Sequence, residues 1–281
     1  MAASGDDPDL TGPGSGWSGA ARLLVAAAVL VVALGVVAVV VTLSHPARLG
    51  VAFSGGAPTV TAPEDRHQPG GVGAAEVAAE ETLTAPRGDR RRADFELTDG
   101  LTSFTLRAAD LGDDLYRVSA PDGAGVTPRP DVTGDRVRLR VQENGRPGPA
   151  AVEVVLNSRV TWRLRLVGGV SEQQLDLGAA RLAGIELVGG ASRTGLRLPP
   201  LSGAMTVRMT GGVSELTVIV PGGPPARVRV AAGAGSVAVY DEHRTGVAAG
   251  QLVSSPGWDR SRDRLYLDLV AGANTVSVAA G

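Results

Sequence analysis

The feature that most constrains this chain is a glycine-rich motif that recurs through its C-terminal half. It reads VGGVS at 167–171, VGGAS at 188–192 and TGGVS at 210–214, followed by AGAGS at 232–236 and AGANT at 271–275. The second glycines of the pairs, and then Gly233, are offset by 21, 22 and 21 residues. A fixed period in the low twenties indicates a repeat architecture in which each unit is one small structural element.

Between the glycine motifs, short segments alternate apolar and polar residues. They include Val160-Trp162-Leu164-Leu166, Leu216-Val218-Val220, Val228-Val230 and Leu265-Leu267-Leu269, with polar neighbours such as Thr161-Arg163-Arg165. Alternation with a period of two is typical of half-buried β-strands. The sequence therefore predicts an all-β domain from about residue 94 to the end.

Two arrangements of such strands satisfy the pattern. In a β-solenoid, each unit of ~21–22 residues forms one coil, and equivalent strands stack about 4.8 Å apart. Glycine is then expected at corners with positive φ and close backbone approach. In an antiparallel β-sandwich, each Gly-Gly pair is a hairpin turn. The regular spacing favours the solenoid, with the sandwich as the alternative.

Composition excludes several classes of site. The chain has no cysteine, so disulfides, iron–sulfur clusters and thiolate zinc sites are ruled out. All 27 basic residues are arginine, so a P-loop lysine is missing, and the net charge of −2 gives no footprint for nucleic acid. Because aromatic residues make up only 3% of the chain, we expect the core to consist of aliphatic side chains.

An apolar segment precedes the repeats. Leu23–Leu43 contains no charged residue over 21 positions, which is enough for a helix to cross a bilayer of about 30 Å. The predicted organisation is a disordered tail at 1–21, a transmembrane helix at 22–44, a flexible Pro/Gly/Ala-rich stalk at 45–93, and a β repeat domain at 94–281 with an inserted loop at 241–264. Basic residues are balanced across the helix, so the extracytoplasmic position of the C-terminal domain rests on the stalk that leads to it.

Two stretches carry a resemblance to a known kind of domain. GGVSELTVIVP at 211–221 and VRVAAGAGSV at 228–237 resemble the adhesin-like β-solenoid domains of bacterial envelope proteins. Similar units form the C-terminal domain of membrane proteins that regulate cell-envelope stress signalling. The resemblance covers roughly residues 158–281 and implies a stack of short strands used as an interaction surface, without catalysis. Those regulators usually have several membrane helices, whereas this chain has one apolar segment.

The sequence offers no catalytic, cofactor or metal site. The three histidines, His45, His67 and His243, fall in different predicted segments, and no Ser-centred nucleophile motif is present. Outward-facing arginines on the predicted strands could align across coils into a partner surface. The candidate partner residues are Arg163, Arg165, Arg197, Arg208, Arg227, Arg229 and Trp258. For Trp258 the apolar area of its ring favours a different interpretation, as a lid over one end of the core, with the surface contact as the alternative.

The sequence thus predicts a non-enzymatic interaction or scaffold protein of the bacterial cell envelope, anchored in the bilayer through residues 23–43. An involvement in envelope stress sensing follows from the resemblance. Its partner is expected to be an envelope protein or a wall polymer. The alternative hypothesis is a β-helix enzyme that acts on envelope polysaccharides, which would require carboxylates converging in a groove.

Overall fold

A computed structural model describes residues 82–281, which form nineteen β-strands and contain no α-helix. The all-β prediction is therefore confirmed for this part of the chain. The strands are β1 Leu83–Pro86, β2 Arg92–Leu97, β3 Leu101–Ala109, β4 Asp114–Ser119, β5 Val126–Thr133, β6 Arg136–Glu143, β7 Ala151–Asn157, β8 Thr161–Leu166, β9 Val170–Asp176, β10 Arg181–Leu187, β11 Ala191–Arg197, β12 Ala204–Met209, β13 Val213–Val220, β14 Ala226–Val230, β15 Ala234–Val239, β16 Glu242–Val247, β17 Gln251–Ser254, β18 Arg264–Leu269 and β19 Ala273–Ala280.

The strands form two sheets. Sheet A has the order β1-β4-β7-β3-β9-β11-β13-β19-β15-β16, and sheet B has the order β17-β14-β18-β12-β10-β8-β2-β6-β5. All neighbours from β7 to β15 in sheet A, and from β14 to β6 in sheet B, are parallel. The strands beyond these limits are antiparallel and close the ends of both stacks.

Each repeat contributes one strand to sheet B and the next strand to sheet A. The glycine motif at 167–171 joins β8 to β9, the one at 188–192 joins β10 to β11, and the one at 210–214 joins β12 to β13. The Gly-Gly pairs are therefore corners between the two sheets and not hairpin turns. This arrangement of parallel stacks is that of a β-solenoid, and the hairpin-based sandwich does not describe it.

The order of coils in the stack differs from their order in the chain at both ends. The first coil, β2 and β3, lies between the coil β6/β7 and the coil β8/β9. The last coil, β18 and β19, lies between β12/β13 and β14/β15. The AGANT corner at 271–275 consequently stacks between the corners at 210–214 and 232–236. The last 21-residue offset thus links two coils that are not neighbours.

Alternate side chains of the two sheets meet in one core. Most are Leu and Val, as expected, but the largest fully buried side chains are Trp162, Phe95 and Phe104. Phe95 and Phe104 stack with ring centroids 6.4 Å apart, and the indole nitrogen of Trp162 donates to the carbonyl oxygen of Asn157 at 2.9 Å. The prediction of a purely aliphatic core is wrong here, because Phe95, Phe104 and Trp162 are fully buried in the adjacent coils β2/β3 and β8/β9.

The glycine corners are required by close backbone approach. A Cβ atom on Gly168, Gly189 or Gly211 would come closer than 3.0 Å to the backbone of the adjacent corner. The corners are also joined by backbone hydrogen bonds, such as the one that the Ala191 amide donates to the Gly212 carbonyl at 2.9 Å. None of the paired glycines has a left-handed φ, so the prediction of positive φ is wrong at the three Gly-Gly corners, where tight stacking explains the glycines. At the corner 232–236 Gly233 does have a left-handed φ, of 100°.

The structure bears on two of the segment boundaries predicted from the sequence. Sheet A begins with β1 at Leu83, inside the segment predicted as stalk, and the predicted loop at 241–264 contains the short antiparallel strands β16 and β17. Within residues 82–281, no helix is both long and apolar enough to span a bilayer. The predicted tail, transmembrane helix at Leu23–Leu43 and most of the stalk lie outside the described residues.

Candidate interaction surface

The predicted arginines divide between the two outer faces of the solenoid. Arg163 and Arg165 lie on β8, Arg208 on β12, and Arg227 and Arg229 on β14, all with outward positions on sheet B. Arg197 lies on β11 in sheet A, where its Nε is 3.9 Å from Asp176. The six arginines therefore do not form one surface, and sheet B carries five of them.

The outer face of sheet B holds a row of alternating charges across its strands. Register places the row, from β5 to β14, as Asp131, Arg138, Glu96, Arg165, Glu186, Arg208, Asp268 and Arg229. Acid and base alternate at every step, so each charge has an opposite charge on the neighbouring strand. Opposite charges at directly opposed positions stabilise a sheet. The row forms a ladder of charges that includes three of the predicted arginines, Arg165, Arg208 and Arg229.

One carboxylate of the ladder lies between two arginines where the last coil is inserted. Asp268 on β18 is 8% exposed, and its carboxylate accepts a hydrogen bond from Arg229 at 2.7 Å and lies 3.6 Å from Arg208. The hydrogen bond that Arg229 donates to Asp268 raises the pKa of Arg229 above its usual value. Further along, Arg165 pairs with Glu186, and Arg138 lies 3.7 Å from Glu96.

Sheet B is split open between β10 and β12. These strands pair only over Ile185–Leu187, whereas β10 pairs with β8 along its whole length. The pairing of β10 with β8 contains an irregularity between Leu182 and Gly184, which is a β-bulge at Ala183. A bulge bends its strand and commonly ends pairing nearby. As a result, the facing edges of residues 182–184 and 204–206 have no ladder partner across the gap.

A groove of ≈ 650 Å³ follows this gap on the outer face. Gly184 lines the groove, and a Cβ added to it would meet no atom within 4 Å. Leu182 and Met205 occupy inward-facing rows, yet both remain half-buried because the sheet is open above them. The charged residues that line the groove are Asp94, Glu96, Arg136, Arg163, Arg165, Glu186 and Arg208.

The charges around the groove are not all neutralised within the domain. Arg165, Arg208 and Glu96 belong to the ion pairs of the ladder. Among residues 82–281, Arg136 and Arg163 have no acidic group within 4.0 Å, and Asp94 has no basic group within that distance. Gly184 opposes Arg163 in register, which brings the guanidinium of Arg163 beside the open floor of the groove. The unpaired charges at the rim of the groove are therefore two cations, Arg136 and Arg163, and one anion, Asp94.

Trp258 lies outside sheet B, over the last coils of the stack. Its ring contacts the guanidinium groups of Arg227 at 3.7 Å and Arg264 at 4.4 Å, and it packs against Tyr266 with centroids 6.2 Å apart. Its indole nitrogen donates to the carbonyl oxygen of Leu265 at 3.1 Å. Trp258 thus covers the outer face of β14 and β18 and does not lie over the end of the core. Cation–π contacts of this kind hold the loop after β17 against the sheet.

The described residues show little that could support catalysis. Three carboxylates line the groove, but Glu96 and Glu186 face arginines of the ladder. No group of three or more His, Cys, Asp or Glu side chains suited to a metal ion occurs between residues 82 and 281. His243 lies on the edge strand β16, and the other two histidines fall outside this part of the chain.

Comparisons with known proteins agree with this architecture. Residues 132–219 match the family model for the N-terminal domain of toast_rack, DUF2154, a segment that runs from the end of β5 through most of β13. The crystal structure of a candidate cell adhesion protein from Clostridium sporogenes superimposes with a TM-score of 0.51 at 14% identity, over 72% of this chain and 99% of that one. The domain has an adhesin-like β-solenoid fold. The resemblance seen in the sequence is confirmed at the level of the fold.

Two further comparisons add no argument about function. A candidate adhesin from Bacteroides fragilis aligns over 71% of this adhesin-like chain and 96% of its own, at 10% identity and a TM-score of 0.28. No curated protein matches the chain. The family match runs through the coil β6/β7 and the coils from β8/β9 to β12/β13, and it leaves out the two displaced coils, β2/β3 and β18/β19.

Sequence reasoning missed the groove. The arginines of sheet B were predicted as a surface, but their acidic partners Glu96 and Asp268 were not identified, since these lie on coils that are displaced in the stack. One signal was present: RLAGIEL at 181–187 interrupts the alternation of its repeat with Ala183 and Gly184. An isolated glycine within a strand pattern indicates a bulge.

Proposed function

We propose that this protein is a membrane-anchored, non-enzymatic interaction module of the bacterial cell envelope, which binds an envelope partner through the outer face of sheet B. The single observation that carries the proposal is the open groove at Gly184, where the pairing of two central strands of sheet B is interrupted. Sheets normally complete their hydrogen-bond ladders, so a gap in the middle of a sheet is a natural place for a partner.

The anchored part of the proposal rests on the sequence. Leu23–Leu43 has the length and apolar character of a bilayer-spanning helix, and the lipid bilayer is its proposed partner. The β domain would then project from the outer surface of the membrane. A contribution to envelope stress sensing is consistent with the resemblance to the regulators of that response, and the adhesin-like fold supports a role in binding.

Photocrosslinking in intact cells tests the proposal. A photoreactive amino acid replaces Thr206, which lines the groove on β12, and in a matched control it replaces Thr275, an exposed outward residue of sheet A. We expect discrete crosslinked products from position 206 and not from position 275. Equal labelling from both positions, or none from either, would contradict a partner surface on sheet B. Protease accessibility of a C-terminal epitope in the same cells tests the extracytoplasmic position.

A further inference from the structure

The groove between β10 and β12 has the properties of a peptide-binding cleft. Its two walls are strand edges at residues 182–184 and 204–206 without a ladder partner across the gap. An exposed strand edge offers amide donors and carbonyl acceptors in the geometry that an extended peptide backbone matches. Three residues of strand span about 10 Å, which is enough to contact a short extended segment.

The floor of the cleft adds an apolar contact. Leu182 and Met205 belong to the inward rows of their strands, but the split in the sheet leaves both half-buried. Methionine adapts its shape to different apolar side chains. Gly184 leaves open space above this floor, because its missing side chain would have projected into the groove.

The charges at the rim of the cleft determine which residues can flank the apolar part of a bound peptide. Arg163 and Arg136 line the groove without an acidic partner within 4.0 Å among the described residues, and Asp94 is the unpaired acid. Arginine binds carboxylates through paired hydrogen bonds, so an acidic residue next to an apolar one would satisfy Arg163. Basic flanking residues would instead be repelled by these guanidinium groups, which carry the same charge.

We infer that the cleft around Gly184 binds a short extended segment of a partner protein in which apolar residues are flanked by acidic ones. This inference rests on the proposed function and names the class of partner for the same site. The combination of strand edges, aliphatic floor and cationic rim favours a peptide over a sugar chain, for which neutral hydroxyl contacts and stacked aromatic rings would be expected in the groove.

Fluorescence anisotropy with two labelled peptides tests the inference on the full chain in detergent micelles. The probes are acetyl-Asp-Val-Leu-Val-Asp-amide and acetyl-Lys-Val-Leu-Val-Lys-amide. We expect the acidic peptide to bind at least about tenfold more tightly than the basic one. Gly184→Phe should weaken binding of the acidic peptide by a similar factor, because the ring fills the groove while the backbone at Gly184 accepts a side chain.

Matched variants separate the site from general effects. Arg163→Glu should reverse the preference between the two peptides, whereas Arg197→Glu on sheet A should leave it unchanged. Thr275→Phe controls for the added ring, and Gly184→Val provides a smaller filling side chain if Gly184→Phe lowers the unfolding midpoint. Equal affinity for both peptides, no binding of either, or unchanged binding by Gly184→Phe would overturn the inference. Crosslinks from position 206 in cells would still support the proposed function in each of those cases.

Discussion

The guanidinium of Arg229 donates a hydrogen bond to the carboxylate of Asp268 at 2.7 Å, although three strands, β15, β16 and β17, separate β14 from β18 in the chain. The contact exists because the final coil returns into the stack and places β18 between β12 and β14. Asp268 is thereby flanked by Arg208 and Arg229, and it lies almost completely out of contact with solvent.

Replacing Asp268 with Asn should destabilise the domain. The change removes the charge that both arginines face. A hydrogen bond to a charged group contributes about 1.5–3 kcal/mol, and we expect a loss near the lower end of this range because both arginines are partly exposed to solvent. Urea unfolding followed by circular dichroism measures the loss. Asp176→Asn is the control, because the pair of Asp176 with Arg197 is solvent-exposed and 3.9 Å long, and such pairs contribute little. Equal losses in the two variants would contradict the role of Asp268 in holding the inserted coil.

Gly189→Ala should destabilise the domain by about 2–3 kcal/mol, since the added methyl group overlaps the backbone of Gly168 and forces the stacked corners apart. Gly184→Ala is the matched control on the same repeat. Its methyl group enters open space, and alanine restricts the unfolded chain more than glycine does, so its stability should be unchanged or slightly higher. Thermal unfolding of both variants checks the pair. A neutral Gly189→Ala would show that close approach does not explain the motif.

Hydrogen exchange should follow the order of coils in the stack and not the order of the chain. β19 is hydrogen-bonded on both sides, to β13 and β15, although it is the last strand in chain order. We expect amides at Val276 and Val278 to be protected like those of Val218 in β13, whereas amides of the edge strand β16 exchange first. Mass spectrometry of exchanged peptides measures this. Early exchange across residues 273–280 would contradict the inserted position of the last coil.

The domain should lose stability at alkaline pH through its tyrosines. Burial raises the pKa of Tyr240 above its ordinary value of 10.0, and the hydroxyl donates to the carbonyl oxygen of Pro224 at 2.6 Å. Burial, and then the charge of Asp131, also raises the pKa of Tyr116. A raised folded-state pKa gives stability that is complete below the unfolded value, about pH 10, and is lost as the pH rises through the folded value.

Tyr240→Phe should therefore reduce the drop in urea midpoint between pH 8 and pH 11. At neutral pH the variant should be slightly less stable than the wild type, because it lacks one hydrogen bond. The chain contains neither lysine nor cysteine, so tyrosine is the side chain that titrates around pH 10. Absorbance of the tyrosinate during the same titration identifies the groups. An identical pH dependence in wild type and variant would contradict the assignment to Tyr240.

Part of the architecture could be predicted from the sequence because it is local. Alternation along β8, β13 and β18 assigns strands and their inward faces, and the Gly-Gly pairs mark corners where only glycine allows the backbones to approach. The prediction of an aliphatic core failed at Trp162, Phe95 and Phe104, since composition gives the number of aromatic residues but not which of them are buried. Alternation predicted that the sheet B arginines point outward. It did not predict that Arg197 lies on the opposite outer face, because that depends on which of the two sheets its strand joins.

Within the C-terminal half, residue order alone determined the strands, the corners and the repeat length, since these depend on side-chain period and on glycine at fixed intervals. The tertiary structure decided which coil lies beside which. A repeat that can pair with any similar repeat carries no local mark of its neighbour, so the displacement of the first and last coils, the carboxylate of Asp268 between two arginines and the gap beside Gly184 arise only when distant segments pack together.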